Sequence, residues 1–351
     1  NPIDGLEGKK TSTAIEQFLK DRKLPADATS GATFFAVLLD AVKEADGVGF
    51  SWCNETPHPV MAAIGIDVKL DIMTGGLPLH VVQQLARHAA DSGHSGLVIT
   101  EAGRTAYLSC AAAALAADID ILTGIAVAFP RSPMVTAQTA WELADASGGR
   151  FRLGLGTQVR AHIERRYSTT FDPPGPRLRD YVLAVRSCFE AFRSGGAPDH
   201  HGPYYDISLL PAMWSPGPID APDPPIDTAA VNPRMLRLAG EHADGVHIHP
   251  LNTRTYLADT VAPQLAEGAR RGGRRLDDFE IIVPAFLVVG DTDTDRARWR
   301  ELARMQVAFY GSTPNYAFIF EQLDHPGTTA ALRERQKAGD IAGMATIITD
   351  D

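Results

Sequence analysis

Four side chains stand where a proton or hydrogen bond could be handed to a bound small molecule: Glu101, His162, His247 and His249. Glu101 directly follows the apolar run 96–100 and is the carboxylate best placed for general acid work, although the start of a helix would favour its charge equally. His249 closes the run Gly245–His249, just before Pro250, and is expected to act as a proton donor or substrate ligand. A histidine satisfied within the structure is the alternative. His162 follows the run 152–156 and is a third candidate. His247 and His249 share one face of a strand, which is the geometry of a metal pair. No third histidine or carboxylate accompanies them at ligand spacing, so no metal is expected. Nucleophilic chemistry is disfavoured as well: GxSxG is absent, and Cys53, Cys110 and Cys188 form no CxxC pair. An odd, scattered set of cysteines fits a reducing cytoplasm.

Positioning these groups is the task of alternating strands and helices. Apolar runs at 68–73, 96–100, 121–128, 152–156, 226–231, 245–249 and 279–289 read as strands, with a weak eighth at 306–310. Amphipathic or small-residue stretches between them read as helices at 78–92, 106–117, 133–146, 176–193 and 233–243, the third opened by Ser132 and Pro133. Such alternation implies parallel strands and an α/β fold. An open dinucleotide-binding sheet would carry its glycine-rich turn after the first strand. Here Gly154-Leu155-Gly156 follows the fourth and lacks the third glycine, so a (β/α)8 TIM barrel is expected. Its chemistry would then lie at the carboxyl ends of the strands: Met73–Gly76, Thr100-Glu101, Ala126–Arg131, Gly156–Gln158, Ala230–Arg234 and His247–Pro250. Pro203–Trp214, rich in turn residues and aromatics, reads as an insertion.

The charge balance narrows the partners. Thirty-three basic residues against 43 acidic ones give a net charge of −10, unsuited to nucleic acid or an anionic membrane surface. No apolar run approaches the roughly 18 residues needed to cross a bilayer. A small-molecule substrate remains. The basic residues are also unevenly distributed. Six of seven lysines stand at Lys9, Lys10, Lys20, Lys23, Lys43 and Lys69, whereas Arg22 is the one arginine before residue 70. Residues 1–67 therefore read as a separate module, joined through the linker Thr56-Pro57-His58-Pro59 to a barrel at 68–351.

Several spaced motifs in one order carry a family resemblance. The run Thr123–Pro133, then Gly149–Gln158 with His162–Arg166, then Ala239–Gly245 with His249-Pro250, and Ala308–Pro314, resembles the luciferase-like monooxygenase superfamily, and within it the deazaflavin-dependent oxidoreductases. The resemblance implies a metal-free barrel of the bacterial luciferase type, a homodimer, and coenzyme F420 as cofactor, with FMN as the alternative. It also implies a non-prolyl cis peptide within Gly124–Val127, supporting the cofactor ring. Ile125, Ala126 and Val127 would then supply the apolar wall behind that ring. Gly156-Thr157-Gln158, and the stretch 230–234 with Asn232 and Arg234, would hold its phosphate through free N–H groups at helix starts. Asn232 departs from the family pattern, which often has glycine near that place. Arg131, Arg165, Arg166 and Arg234 are candidates for pairing with phosphate or the acidic tail.

In the N-terminal module, Asp27-Ala-Thr-Ser-Gly-Ala-Thr33 is similar to the motif of covalent FMN-binding domains, which would attach FMN at Thr33. A turn capping the helix-like run Phe34–Glu44 is the other reading. The expected activity is hydride transfer between F420 and a small organic substrate. An FMN-dependent monooxygenase using O2 and a non-catalytic flavin-binding barrel are the rivals.

Overall fold

The computed structural model describes residues 69–276 and 279–350. The module expected at 1–67, its linker and Thr33 lie outside the described residues. Two compact units divide the rest: one of 69–247 and 265–282, the other of 248–264 and 283–350.

The first unit is a curled parallel sheet carrying helices. Its strands are β1 (Asp71–Gly75), β2 (Gly96–Thr100), β3 (Asp120–Thr123), β4 (Ala126–Val127), β5 (Phe151–Gly156), β8 (Ile226–Ala230), β9 (Gly245–Ile248) and β10 (Glu280–Ile282). They run in the order β1-β2-β3-β5-β8-β9-β10, with β4 added to β5. The registers set Asp71 opposite Gly96 and Gly96 opposite Asp120, so one lateral row of the sheet carries charge. Lys69 Nζ lies 2.9 Å from Asp120 and 3.6 Å from Glu280 on the last strand, which shows how far the sheet curls. This is the barrel-type α/β architecture that strand–helix alternation demands.

Helices α1 (Leu79–Asp91), α2 (Ala106–Ala114), α3 (Pro133–Ala146), α4 (Pro174–Ser194), α5 (Pro233–His242) and α6 (Ala262–Arg271) connect the strands. In α1, Val82, Ala86 and Ala89 are buried at helical spacing. Ser132 caps α3 by accepting from Val135 N, and Pro133 occupies the first turn, where its missing N–H costs nothing. Trp141 on α3 is fully buried, stacked on Phe189 of α4 at 5.5 Å, and its Nε1 donates to Gly217 O. The expected insertion lies between α4 and β8, as the antiparallel pair β6 (His200–His201) and β7 (Asp206–Ile207) and a short turn Ala212–Trp214. Asp180, buried on α4, pins it by accepting from Tyr204 N at 2.8 Å and Tyr205 N at 2.9 Å, with His200 Nε2 at 3.0 Å.

The second unit is mainly helical: α7 (Asp293–Gly311), α8 (Ala317–Gln322), α9 (Thr328–Ala338) and α10 (Ile341–Ala345). Three expected strands need correction here and above. Gln306–Tyr310 lies inside α7. A capping box between Thr292 and Asp295 starts that helix, and buried Ala308 and Gly311 stand three apart on one helical face, so the apolar run belongs to the helix. The run 279–289 is strand only at Glu280–Ile282, because Pro284 cannot donate to a ladder, and Leu287 and Val289 beyond it are exposed. The run 121–128 is two strands, β3 and β4, interrupted at Gly124-Ile125. No described helix is long and apolar enough to cross a membrane.

Candidate active site

The interruption between β3 and β4 is built by side chains from three strands. Thr123, fully buried at the end of β3, donates through Oγ1 to Gly154 O and accepts from Gly154 N, both at 2.8 Å. A hydroxyl thus replaces a rung of the ladder, and the chain then leaves the sheet through a cis Gly124-Ile125 peptide, within the stretch expected from the sequence. It rejoins as β4, with Ala126 opposite Leu155 and Val127 opposite Gly156.

Glu101, the residue after β2, ties this bulge down. Its Oε2 accepts from Val127 N at 2.7 Å and from Arg131 Nη1 at 2.9 Å, while Arg131 Nη2 meets Oε1. The same guanidinium donates to Val127 O at 2.9 Å and lies over the Tyr107 ring. The Glu101 side chain is 6% exposed, so this is a desolvated, forked ion pair closed around a strand end. With both oxygens taken by donors, Glu101 is placed to anchor β4. That differs from the proton-presenting placement expected of a general acid. Arg131, expected as a phosphate partner, is engaged in the same pair.

Above the bulge the strand ends are small. A Cβ on Gly156 would stand 2.6 Å from Cδ1 of Ile125 and 3.6 Å from Cβ of Ala229, so Ile125 lies over bare backbone. Of the expected apolar wall, Ile125 is half-buried and reaches the surface, while Ala126 and Val127 are sealed in the core. Beneath the bulge sits His247, 4% exposed, against the glycines of two strands. A Cβ on Gly124 would be 3.3 Å from its ring and one on Gly154 2.6 Å from Nε2. Neither ring nitrogen has a hydrogen-bond partner among the described residues, and Asp227 Oδ2 is 3.6 Å away, too far for one. Asp227 is instead held by Arg152, with Nε at 3.0 Å and Nη2 at 2.5 Å. Burial works against its charge, but His247 and Arg152 beside it keep the carboxyl below its ordinary range.

The two loops expected to hold phosphate do open helical turns. Gln158 takes a left-handed φ of 55°, and its Oε1 accepts from Val159 N at 2.9 Å, so the side chain caps its own turn. His162–Arg166 follows as a single π-helical turn, a local geometry common at functional sites. His162 is exposed there, its Nδ1 3.4 Å from Arg166 Nη1, and Arg166 covers the Tyr167 ring. Thr157 Oγ1 donates to Gln158 O. Asn232 is extended, with φ −89°, and its Oδ1 caps α5 by accepting from Met235 N at 3.1 Å. Glycine is therefore not needed at this place, because the backbone is not left-handed. Asn232→Ala is expected to lower stability by about 1 kcal/mol, and Asn232→Asp to lower it little, in urea unfolding. Equal midpoints for all three proteins would remove the cap. Arg234, in the first turn of α5, is exposed.

In the second unit, His249 has partners that motif spacing did not disclose. Its ring stacks on Tyr316 at 4.2 Å and meets Tyr310 edge-on at 4.7 Å. Leu251 N donates to Nδ1 at 3.0 Å, and Asn252 Nδ2 braces His249 O and Pro284 O. Burial pushes the imidazole pKa down to about 4, so the ring is neutral at physiological pH. Tyr310 was legible only as part of the matched run Ala308–Pro314, where it read as strand, and Tyr316 lies beyond that run.

Comparison with known proteins agrees with this architecture. Residues 60–351 match the model of the luciferase-like monooxygenase family. An uncharacterised protein of Mycobacterium tuberculosis is 35% identical over 292 residues, covering 81% of this chain and 84% of its own. The 5,10-methylenetetrahydromethanopterin reductase of Archaeoglobus fulgidus is 29% identical over 235 residues, covering 65% of each chain. Among solved structures, the coenzyme F420-dependent tetrahydromethanopterin reductase of Methanopyrus kandleri shares the fold, with a TM-score of 0.66 at 22% identity over 81% of this chain and 84% of that one. The chain belongs to the luciferase-like monooxygenase family, and two of these similar proteins are named as reductases.

Proposed function

We infer that this protein is a coenzyme F420-dependent oxidoreductase, moving a hydride between the deazaflavin and a small organic substrate. The observation that carries this is the strand end at Gly156: a side chain there would collide with Ile125, so glycine lets Ile125 pack down on the strand end, where its aliphatic side chain can support a flat ring. The name of the Methanopyrus kandleri reductase, which is coenzyme F420-dependent, favours the deazaflavin over FMN. When bound, the coenzyme supplies a carbon-centred hydride donor or acceptor that reacts poorly with O2. Ile125 would back the ring, and Glu101 with Arg131 would hold the strand that bears it. Ala126 and Val127 would fix that strand through the core. The N–H groups after Gly156-Thr157-Gln158, and those opening α5 behind Asn232, would receive phosphate, with Arg166 and Arg234 as counter-charges. His162 belongs with Arg166 on that exposed turn, and His249 is assigned to the substrate.

Titrating the protein with F420 and, separately, with FMN tests this by absorbance. Saturable binding is expected for F420 and much weaker binding for FMN. Gly156→Ala should weaken F420 about tenfold, a loss of about 1.4 kcal/mol. Oxygen consumption with reduced FMN, without turnover of reduced F420, would move the protein to the monooxygenase reading.

A further inference from the structure

The geometry points to a subsite formed by His249, Tyr310 and Tyr316 for a flat, uncharged substrate group bearing a hydrogen-bond acceptor, most simply an aromatic or conjugated carbonyl. The first observation is the tautomer. Because Leu251 N donates to Nδ1, that nitrogen is an acceptor, and the one ring proton of neutral imidazole sits on Nε2. His249 therefore offers a fixed N–H donor. The second observation is the clamp. Tyr316 stacks on the ring, Tyr310 meets it edge-on, and Asn252 ties the His249 backbone to Pro284, so the donor cannot easily swing away. All three residues are half-buried and so reach solvent, and exposed Phe309, 5.2 Å from Tyr310, extends the aromatic surface.

The electrostatics select the ligand. The imidazole is neutral at physiological pH, and burial raises both phenols, Tyr316 to about 12, so the hydroxyls also stay protonated. The three rings offer neutral groups, the imidazole N–H as a donor and two phenol hydroxyls that can donate or accept. A carboxylate would lose water without gaining a counter-charge, and a hydrocarbon would leave the Nε2 proton unsatisfied. A carbonyl meets both requirements, and its conjugated plane matches the aromatic edges.

This assignment rests on the oxidoreductase reading for its chemical purpose, but its test needs no coenzyme. The full chain is titrated calorimetrically with acetophenone, with benzoate, and with α-methylstyrene, which replaces the carbonyl by an isosteric alkene. Acetophenone is expected to bind at least tenfold more tightly than either. His249→Gln, which can present an N–H near the same place, should preserve that preference, and His249→Phe should abolish it. Tyr316→Leu should weaken acetophenone severalfold while the preference over α-methylstyrene survives. Equal binding of the three probes, no binding of any, or an unchanged preference in His249→Phe would overturn the subsite. F420 titration of the same samples separates the two conclusions: intact coenzyme binding with failed discrimination removes only the subsite, and the converse removes only the F420 assignment.

Discussion

Replacing Glu101 with Gln is expected to lower stability by about 2–3 kcal/mol, and replacing it with Ala by more. Removing one partner of a desolvated pair leaves the other charge uncompensated, a loss of about 3–5 kcal/mol when burial is complete. Arg131 is 23% exposed, so water recovers part of that loss and the lower end applies. Gln can still accept from Val127 N, but Ala leaves that amide without its acceptor, adding roughly 1–3 kcal/mol. Urea unfolding of both variants reads the difference. Both should also weaken F420, since β4 loses its tie to β2. The competing role suggested by the sequence makes the opposite demand: a general acid changed to Gln would lose turnover while its unfolding midpoint stayed in place. That outcome would return Glu101 to proton transfer.

Arg152→Met should destabilise the protein by about 3–5 kcal/mol at neutral pH, because Asp227 is 0% exposed and loses the guanidinium that holds its charge. The sign of the pH dependence follows from the lowered carboxyl of Asp227. In the wild type its contribution is fully present above its ordinary value near 3.8 and is lost as pH falls through the lower folded-state value. Without Arg152 the buried carboxyl is driven upward, so the deficit is greatest at neutral pH and shrinks on acidification. Arg152→Met combined with Asp227→Leu should return within about 1 kcal/mol of the wild type, since a buried ion pair is often replaceable by apolar packing. Unfolding at pH 7.5 and pH 5.5 decides the matter. A single variant costing under about 1 kcal/mol, or a double variant no better than the single, would show that the pair does not carry the interior of the sheet.

Much of the fold was legible because its signals are local. Ser132 before Pro133 starts α3, and Asn232 before Pro233 starts α5, each by capping an amide three residues on. The short apolar run Gly96–Thr100 is β2 without adjustment. Where local signals were ambiguous, context decided. Gln306–Tyr310 has the composition of a strand, yet the cap at Thr292 commits the whole stretch to one helix.

For the candidate site, the sequence offered positions and the structure supplied the partners of each side chain. The site's residues fall at strand ends, as parallel topology requires, and the motifs around Gly124, Gly156 and His249 mark them. Sequence by itself determined the alternation of strands and helices as far as β9, the cap at Ser132 and the family. Tertiary structure alone decided that Glu101 closes on Arg131, 30 residues away, and that Arg152 serves Asp227, 75 residues away. It also decided that His249 lies between Tyr310 and Tyr316, and that Asn232 needs no left-handed backbone. Capping and periodicity act within a turn or a rung, so they are written in neighbouring residues. Partner choice for a charge or an imidazole depends on which strand ends and helices the folded chain brings within a few ångströms, and no spacing rule encodes that.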